Sequence, residues 1–303
     1  MACLYVLTGP TGVGKTEQAL AWAREQKAEI LSCDALLVYQ GMTIGTAKPN
    51  REQQALVPHH GMDLVPVQRP YSIGDYLTMA QKVVRAITAR GRKVLITGGS
   101  GFYLKSFFAP VVDSVAIPLA IRRHVQTIEA RQGLIGLQKQ LNACNPKGVD
   151  HIDLKNPRRV ANALMRCLAS GKTLVELQTR FAKKNSPFAH YTKQVTCLIR
   201  DRQDLHQRIE RRTAQMLRDG LIDEVKALLK AGIASNPQSA SAIGYRETIA
   251  WLRQGEPKQE MLQTAIMRNT LKLVKKQLTW LRKQFSPGET TYLNLSKKNN
   301  TIF

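Results

Sequence analysis

Acidic residues are scarce in this chain. Against 45 lysines and arginines stand 22 aspartates and glutamates, a formal charge of +23 over 303 residues. Two readings fit such a surplus. One is a generically basic surface; the sharper one is a nucleic-acid substrate or partner, since a polycation of this size attracts polyanions and repels itself without them. Paired cysteines are lacking too. Cys3, Cys33, Cys144, Cys167 and Cys197 are scattered with no C-x-x-C pair, which argues against a zinc site or a disulfide framework and for reduced thiols. No run of 18 apolar residues occurs, so no membrane span is expected. The first apolar run begins almost at residue 1, leaving no room for a signal peptide, and a cytoplasmic protein is expected. Repeats and low-complexity segments are absent. With 43% hydrophobic and 22% charged residues, the chain reads as globular and large enough for one big domain or two smaller ones.

Short apolar runs mark the strands of an α/β unit: Leu4 to Thr8, Glu29 to Cys33 and Val94 to Thr97, each ending in a polar or glycine-rich turn. Amphipathic helices are expected over Lys15 to Gln26 and Ile73 to Ala89. From residue 113 to 190 the β-branched runs thin out, and helical spacing with basic residues takes over, which reads as a helical insertion between strands. Val195 to Ile199 returns the chain to the sheet. Long helices follow over 203–219, 221–230, 242–251 and 258–283, with a small terminal strand over 291–295. The expected organisation is a core over 1–112 and 191–296, an insertion over 113–190, and a frayed tail over 297–303.

The most informative segment follows the first strand. Gly9-Pro10-Thr11-Gly12-Val13-Gly14-Lys15-Thr16 is G-x-x-x-x-G-K-T between a strand and a helix, the setting that makes a phosphate-binding loop credible. The glycines let backbone N–H groups converge on an anion. Lys15 supplies a point charge, and Thr16 a hydroxyl able to ligate Mg²⁺. The expected fold class is therefore α/β, a P-loop NTPase-like parallel sheet flanked by helices.

Carboxylates near that loop are few. Asp34 closes the second strand, where ligands sit in such sheets, and reads as a general base, a Mg²⁺ ligand or a helix cap. Asp63 and Asp75 read as structural. The strand Val94-Leu95-Ile96-Thr97 runs into Gly98-Gly99-Ser100-Gly101 with no acid. An ATPase usually carries one there to hold Mg²⁺ or direct water. Its lack disfavours hydrolysis and favours chemistry in which the phosphates are cargo or leaving group.

From Asp34 to Pro49 the chain reads D-A-L-L-V-Y-Q-G-M-T-I-G-T-A-K-P. This resembles the signature of the bacterial tRNA dimethylallyltransferase family, D-S-x-x-x-Y-x-G-M-D-I-G-T-A-K-P. The resemblance spans nearly the whole chain. It continues through His59-His60, Gly98 to Tyr103, Gly171 to Leu174, Gly220 to Val225, Ala242 to Glu247 and Lys275 to Arg282. It implies transfer of a dimethylallyl group from dimethylallyl diphosphate to N6 of adenosine 37, in tRNAs reading codons that start with U. Diphosphate and Mg²⁺ would then occupy the loop formed by Gly9, Pro10, Thr11, Gly12, Val13, Gly14, Lys15 and Thr16. Asp34 matches the general base, Ser100 a family threonine beside the reacting groups, and Arg122 a basic residue near the base and diphosphate. Asp34, Ala35, Leu36 and Leu37 match the segment lining the target adenosine. The helical insertion is implied to be a tRNA-binding domain gripping the anticodon stem-loop, through Arg122, Arg158, Arg159, Val160, Ala161 and Asn162, with Arg123 and Arg166 also suited to phosphates. Lys275, Lys276, Gln277 and Arg282 belong to a final helix with no acid between 268 and 283. A solvated helix face and an RNA-contacting face both fit that run. A monomer is expected.

Several positions depart from the family pattern. Asn156, Asn162 and Met165 stand for an acid, an arginine and an acid; Leu271 and Lys276 stand for arginines; Thr43 stands for aspartate and Ala35 for serine. Lysine cannot reproduce an arginine's bidentate fork, so altered tRNA affinity is expected with the chemistry kept. Other classes that fit are a P-loop small-molecule kinase, a transferase acting on free adenine nucleotides, and a non-catalytic tRNA-binding relative.

Overall fold

The computed structural model describes residues 2–113, 115–149, 152–285, 288, 290–296 and 302–303. Two compact units emerge: Met1–Ala109 with Ser186–Phe303, and Pro110–Asn185. The first is a six-stranded sheet of β1 (Cys3–Thr8), β2 (Glu29–Ser32), β3 (His59–His60), β4 (Val94–Gly98), β5 (Thr192–Ile199) and β6 (Thr291–Asn294), all pairs parallel, in the order β3-β2-β4-β1-β5-β6. Parallel strands need both faces covered. Accordingly Leu4, Val6 and Leu7 of β1, and Val94, Leu95 and Ile96 of β4, are fully buried.

Helices α1 (Lys15–Glu25), α2 (Arg51–Leu56), α3 (Ile73–Ala89) and α4 (Gly101–Lys105) follow in the first part of this unit. On α3 the buried residues Tyr76, Ala80, Val84 and Ile87 recur at helical spacing, and Ser72 and Asp75 form its capping box. That box gives Asp75 a structural role. Asp63 has one as well, 2.5 Å from the buried Lys48 ammonium.

The second unit holds α5 (Leu119–Ala143), α6 (Pro157–Ser170) and α7 (Leu174–Ala182) around a core that includes Val125, Leu137, Leu141, Val160 and Leu164. Gly133, at φ 61 and ψ −153, breaks α5. Asn156 caps α6, its side chain accepting from the Arg159 N–H at 3.2 Å, with Pro157 at the first helical position. Asparagine caps as well as aspartate, so the missing acid costs this helix nothing at its start.

The first unit then resumes. It contains α8 (Arg202–Arg218), α9 (Leu221–Lys230), α10 (Pro237–Ala240), α11 (Tyr245–Arg253) and α12 (Gln259–Gln284). Leu271 of α12 packs with Leu205, Ile209 and Val274, so the residue in an arginine's place joins an apolar cluster.

Two expectations need correcting, and one strand had none. The insertion ends at Asn185 rather than 190, because Ser186 Oγ donates to Ser106 O at 2.7 Å and Phe188 stacks on Phe107 with centroids 4.5 Å apart. Strand β3 went unforeseen, since two residues carry no periodicity. Of the expected frayed tail, 297–301 lie outside the described residues. Its end is docked: Ile302 is buried, its carbonyl accepts from Thr196 Oγ1, and Phe303 lies edge-on to Tyr5 and Trp22.

Glu29 ties β2 to its surroundings. His60 Nε2 on β3 lies 2.7 Å from one carboxylate oxygen, and Arg90 after α3 donates to both at 2.8 and 2.9 Å. Burial pushes the Glu29 carboxyl up, but the hydrogen bonds from His60 and Arg90 together outweigh it and hold it below the usual range. A lowered carboxylate stabilises the fold above its unfolded value of 4.5, and that stability is lost as pH falls through the folded value. Glu29→Gln is therefore expected to lower unfolding free energy at neutral pH by about 2 kcal/mol. The deficit should shrink below about pH 4 in denaturant titrations, as the wild-type carboxylate is protonated too.

Candidate active site

The loop between β1 and α1 wraps the floor of a cleft of about 460 Å³. Thr11, Gly12, Gly14, Lys15 and Thr16 line it, together with Asp34, Leu37, Thr46, Pro49 and His59. Asp34 and Glu17 are the carboxylates on its wall. Gly14 enters α1 with φ 105, a left-handed value natural only to glycine.

Four of the loop's carbonyls accept from a cation. Lys15 Nζ donates to Gly9 O at 3.0 Å and Pro10 O at 2.9 Å. Arg208 Nε donates to Gly12 O at 3.0 Å, and Arg200 Nε to Val13 O at 2.8 Å. Arg212 reaches Thr11 Oγ1 at 3.3 Å and Thr46 O at 3.5 Å. Asp204 orients Arg200 at 2.7 Å, and Glu17 lies 3.6 Å from Arg208.

Burial pulls the Lys15 ammonium down to about 8; the Asp34 charge opposes this, and Arg212 adds to it. Burial likewise lowers Arg212, again against Asp34. Lys15, Arg212 and Asp34 thus share one electrostatic neighbourhood. Asp34 holds its own turn, accepting from the Leu36 N–H at 2.9 Å, while the Ala35 N–H donates to Ser100 Oγ at 3.0 Å. The turns after β2 and β4 run so close that a Cβ on Gly98 would sit 2.1 Å from Cys33 O. Ser100 is thereby fixed one residue from the carboxylate.

The signature loop is clamped from α9. Glu224 accepts from the Thr43, Ile44 and Gly45 N–H groups at 3.1, 2.7 and 3.3 Å, and from the Tyr245 hydroxyl at 2.7 Å. This arrangement can hold a polyphosphate on amides, Lys15 and Arg212, with a carboxylate in the same cleft.

Comparison with known proteins decides the family. The IPP transferase profile matches residues 37–284. The chain belongs to the IPP transferase family. A tRNA dimethylallyltransferase of Opitutus terrae is 49% identical over 281 residues, covering 93% of this chain and 90% of the relative. One named tRNA dimethylallyltransferase 2, from Syntrophus aciditrophicus, is 34% identical and covers 94% and 92%. Among solved structures, the tRNA isopentenylpyrophosphate transferase of Bacillus halodurans is 31% identical with a TM-score of 0.67, covering 97% and 90%. A eukaryotic dimethylallyltransferase acting on tRNA reaches a TM-score of 0.85 at 22% identity, covering 99% and 76%, which is a likeness of fold.

The sequence-derived site residues fall into three places. Thr11, Gly12, Gly14, Lys15, Thr16, Asp34 and Leu37 line the cleft, with Gly9, Pro10 and Val13 completing the loop and Ala35, Leu36 and Ser100 in the adjoining turns. Arg122, Arg158 and Asn162 line a separate cleft of about 220 Å³ in the helical unit. Lys275, Lys276 and Arg282 are exposed on α12.

Four expected RNA contacts are otherwise engaged. Val160 and Ala161 are buried in the helical unit's core. Gln277 bridges two turns, accepting from the Thr11 N–H at 2.9 Å and donating to Gly99 O at 3.0 Å. Arg166 is salt-bridged to Asp113. Sequence reasoning missed Arg200, Arg208, Arg212 and Glu224. The available signal was Arg208 and Arg212 at i, i+4 beside the buried Leu205 and Ile209, one helix turn repeating a cation along a face.

Two outcomes are expected. Lys15 is losing its proton above pH 8, and an incoming polyanion restores it. Calorimetry of an organic diphosphate in buffers of different ionisation enthalpy should therefore show proton uptake at about pH 8.5 and little at about pH 6.5. Lys15→Ala should abolish it. Arg208→Met keeps the aliphatic stem but frees Gly12 O, and should weaken diphosphate binding about tenfold, or ~1.4 kcal/mol, with the melting temperature little changed.

Proposed function

We propose that the chain transfers a dimethylallyl group from dimethylallyl diphosphate to N6 of adenosine 37, in tRNAs reading codons that start with U. The observation carrying this reading is that a phosphate loop and Asp34 line one cleft, while the end of β4 offers Thr97, Gly98 and Ser100 and no hydrolytic acid. The relatives named tRNA dimethylallyltransferase support the same chemistry.

The adenine amine is a weak nucleophile because its lone pair is delocalised into the ring. Asp34 accepts the N6 proton as nitrogen bonds to the allylic carbon. The carbon–oxygen bond to diphosphate breaks, and its electron pair leaves with the phosphate oxygen. Charge growing there meets the loop amides, Lys15, Arg212 and the dipole of α1. No cluster of three or more metal-ligating His, Cys, Asp or Glu side chains occurs among the described residues. A metal here would be held by the Thr16 hydroxyl, diphosphate oxygens and water, a hard-oxygen set that fits Mg²⁺. Mg²⁺ would neutralise charge on the leaving group.

The RNA partner is the anticodon stem-loop. Adenosine 37 must be extruded from its stack, which is cheapest in a single-stranded loop. Arg122 is assigned to the base and diphosphate by family resemblance. Arg158, Arg159, Lys275, Lys276 and Arg282 are all exposed and suited to backbone phosphates. No helix among the described residues is long and apolar enough to cross a membrane. The enzyme is assigned to the cytoplasm, as a monomer.

Mass spectrometry of an anticodon stem-loop incubated with donor and Mg²⁺ tests this. A five-carbon adduct on adenosine 37 is expected. Asp34→Ala should abolish it while leaving donor binding within about threefold, a change under ~1 kcal/mol. An unmodified stem-loop, with tight ATP binding and none of the prenyl donor, would instead indicate a small-molecule kinase.

A further inference from the structure

Phe102 is out of place by ordinary folding logic. It is 56% exposed, while the next two residues of α4, Tyr103 and Leu104, are buried at 7% and 0%. Exposing one aromatic ring is common; this one stands on a turn that is held in place beside the cleft. The turn before it is fixed twice, by Ser100 Oγ accepting from Ala35 and by Gln277 donating to Gly99 O. Gly101 lies so close to Trp280 that a Cβ there would sit 2.7 Å from the indole ring.

Those two α12 contacts also say what flanks the turn. Gln277 and Trp280 face the β4–α4 turn, and Lys276 and Lys283, both exposed, stand one turn either side of Trp280 on the helix. An exposed aromatic on a fixed turn, packed against a helix bearing exposed lysines, on a chain of charge +23, is the pattern that binds single-stranded nucleic acid. The cations track the backbone, and a base stacks on the ring. A protein partner would want a wider apolar patch, and a lipid surface more than one such ring.

We infer that Phe102 is a stacking platform for the nucleobase adjacent to the target adenosine. This rests on the proposed tRNA reaction and adds a residue to it. Phe102 sits two positions after Ser100, whose hydroxyl is bonded to the residue following Asp34. When one base leaves the loop's stack to enter the cleft, its neighbour loses a stacking face, and the phenyl ring supplies a replacement. Phe102 is thus a positioning residue: it lowers the cost of extrusion and takes no part in bond making.

The test pairs a protein change with an RNA change, using the full chain. Phe102→Ala is expected to weaken stem-loop binding and raise the stem-loop KM about tenfold, or ~1.4 kcal/mol, with donor affinity and melting temperature unchanged. Phe102→Trp should restore both. Against stem-loops made abasic on one side of the target adenosine or the other, wild type and Phe102→Ala should become equal for one of the two. Equal binding of the intact stem-loop by wild type and Phe102→Ala overturns the proposal. So does a Phe102→Ala deficit that persists with both abasic substrates. Failure of the proposed reaction reads differently: wild type then adds no prenyl group to any stem-loop, whatever its binding shows.

Discussion

A loop can point its amides at an anion only if its carbonyls are turned elsewhere and satisfied there. Here that requirement recruits much of the first unit. Val13 O takes Arg200 from the end of β5, Gly12 O takes Arg208 from α8, and Gln277 of α12 holds the Thr11 amide. Three residues of the loop, Thr11, Gly12 and Val13, thus depend on segments about 190 to 270 positions later. Only Lys15 is recruited locally, resting on Gly9 and Pro10 until a ligand offers it oxygens of greater charge.

The second half of the site answers the first. Asp34 is held in place by its own turn and by the close approach of β2 and β4 at Gly98, so its position relative to Lys15 is set by the sheet rather than by a flexible loop. Both groups sit in one field: the carboxylate supports the buried ammonium, and Arg212 works against it. An acid at the end of β4 would add a third charge and a way to direct water. Its replacement by glycines and a hydroxyl leaves the cleft suited to losing diphosphate rather than cleaving it.

Much of this was legible from the chain alone. The phosphate loop is a contiguous motif, and β1, β4 and α3 declare themselves by apolar runs or helical spacing. What escaped was non-local or too short to have a period. The two residues of β3 carry no pattern. Val160 and Ala161 sit among surface arginines in sequence, yet point into the helical unit's core, and Gln277 lies in a basic run yet serves the phosphate loop. Arg200, Arg208 and Glu224 gain meaning only once the fold brings distant backbone to them. The departures at Asn156 and Leu271 were absorbed locally, one as an equivalent cap and one as an apolar contact.

The clamp of Glu224 on Thr43, Ile44 and Gly45 joins residues about 180 positions apart. During synthesis the signature loop therefore emerges long before the carboxylate that shapes it. β1 likewise waits for β5 to complete its pairing. Contacts this distant are the slow ones to form, and chains of this size assemble in stages. The helical unit is contiguous over Pro110–Asn185 and needs nothing that comes later in the chain for its own core. A nascent chain can thus have a finished helical unit while its cleft is still unbuilt.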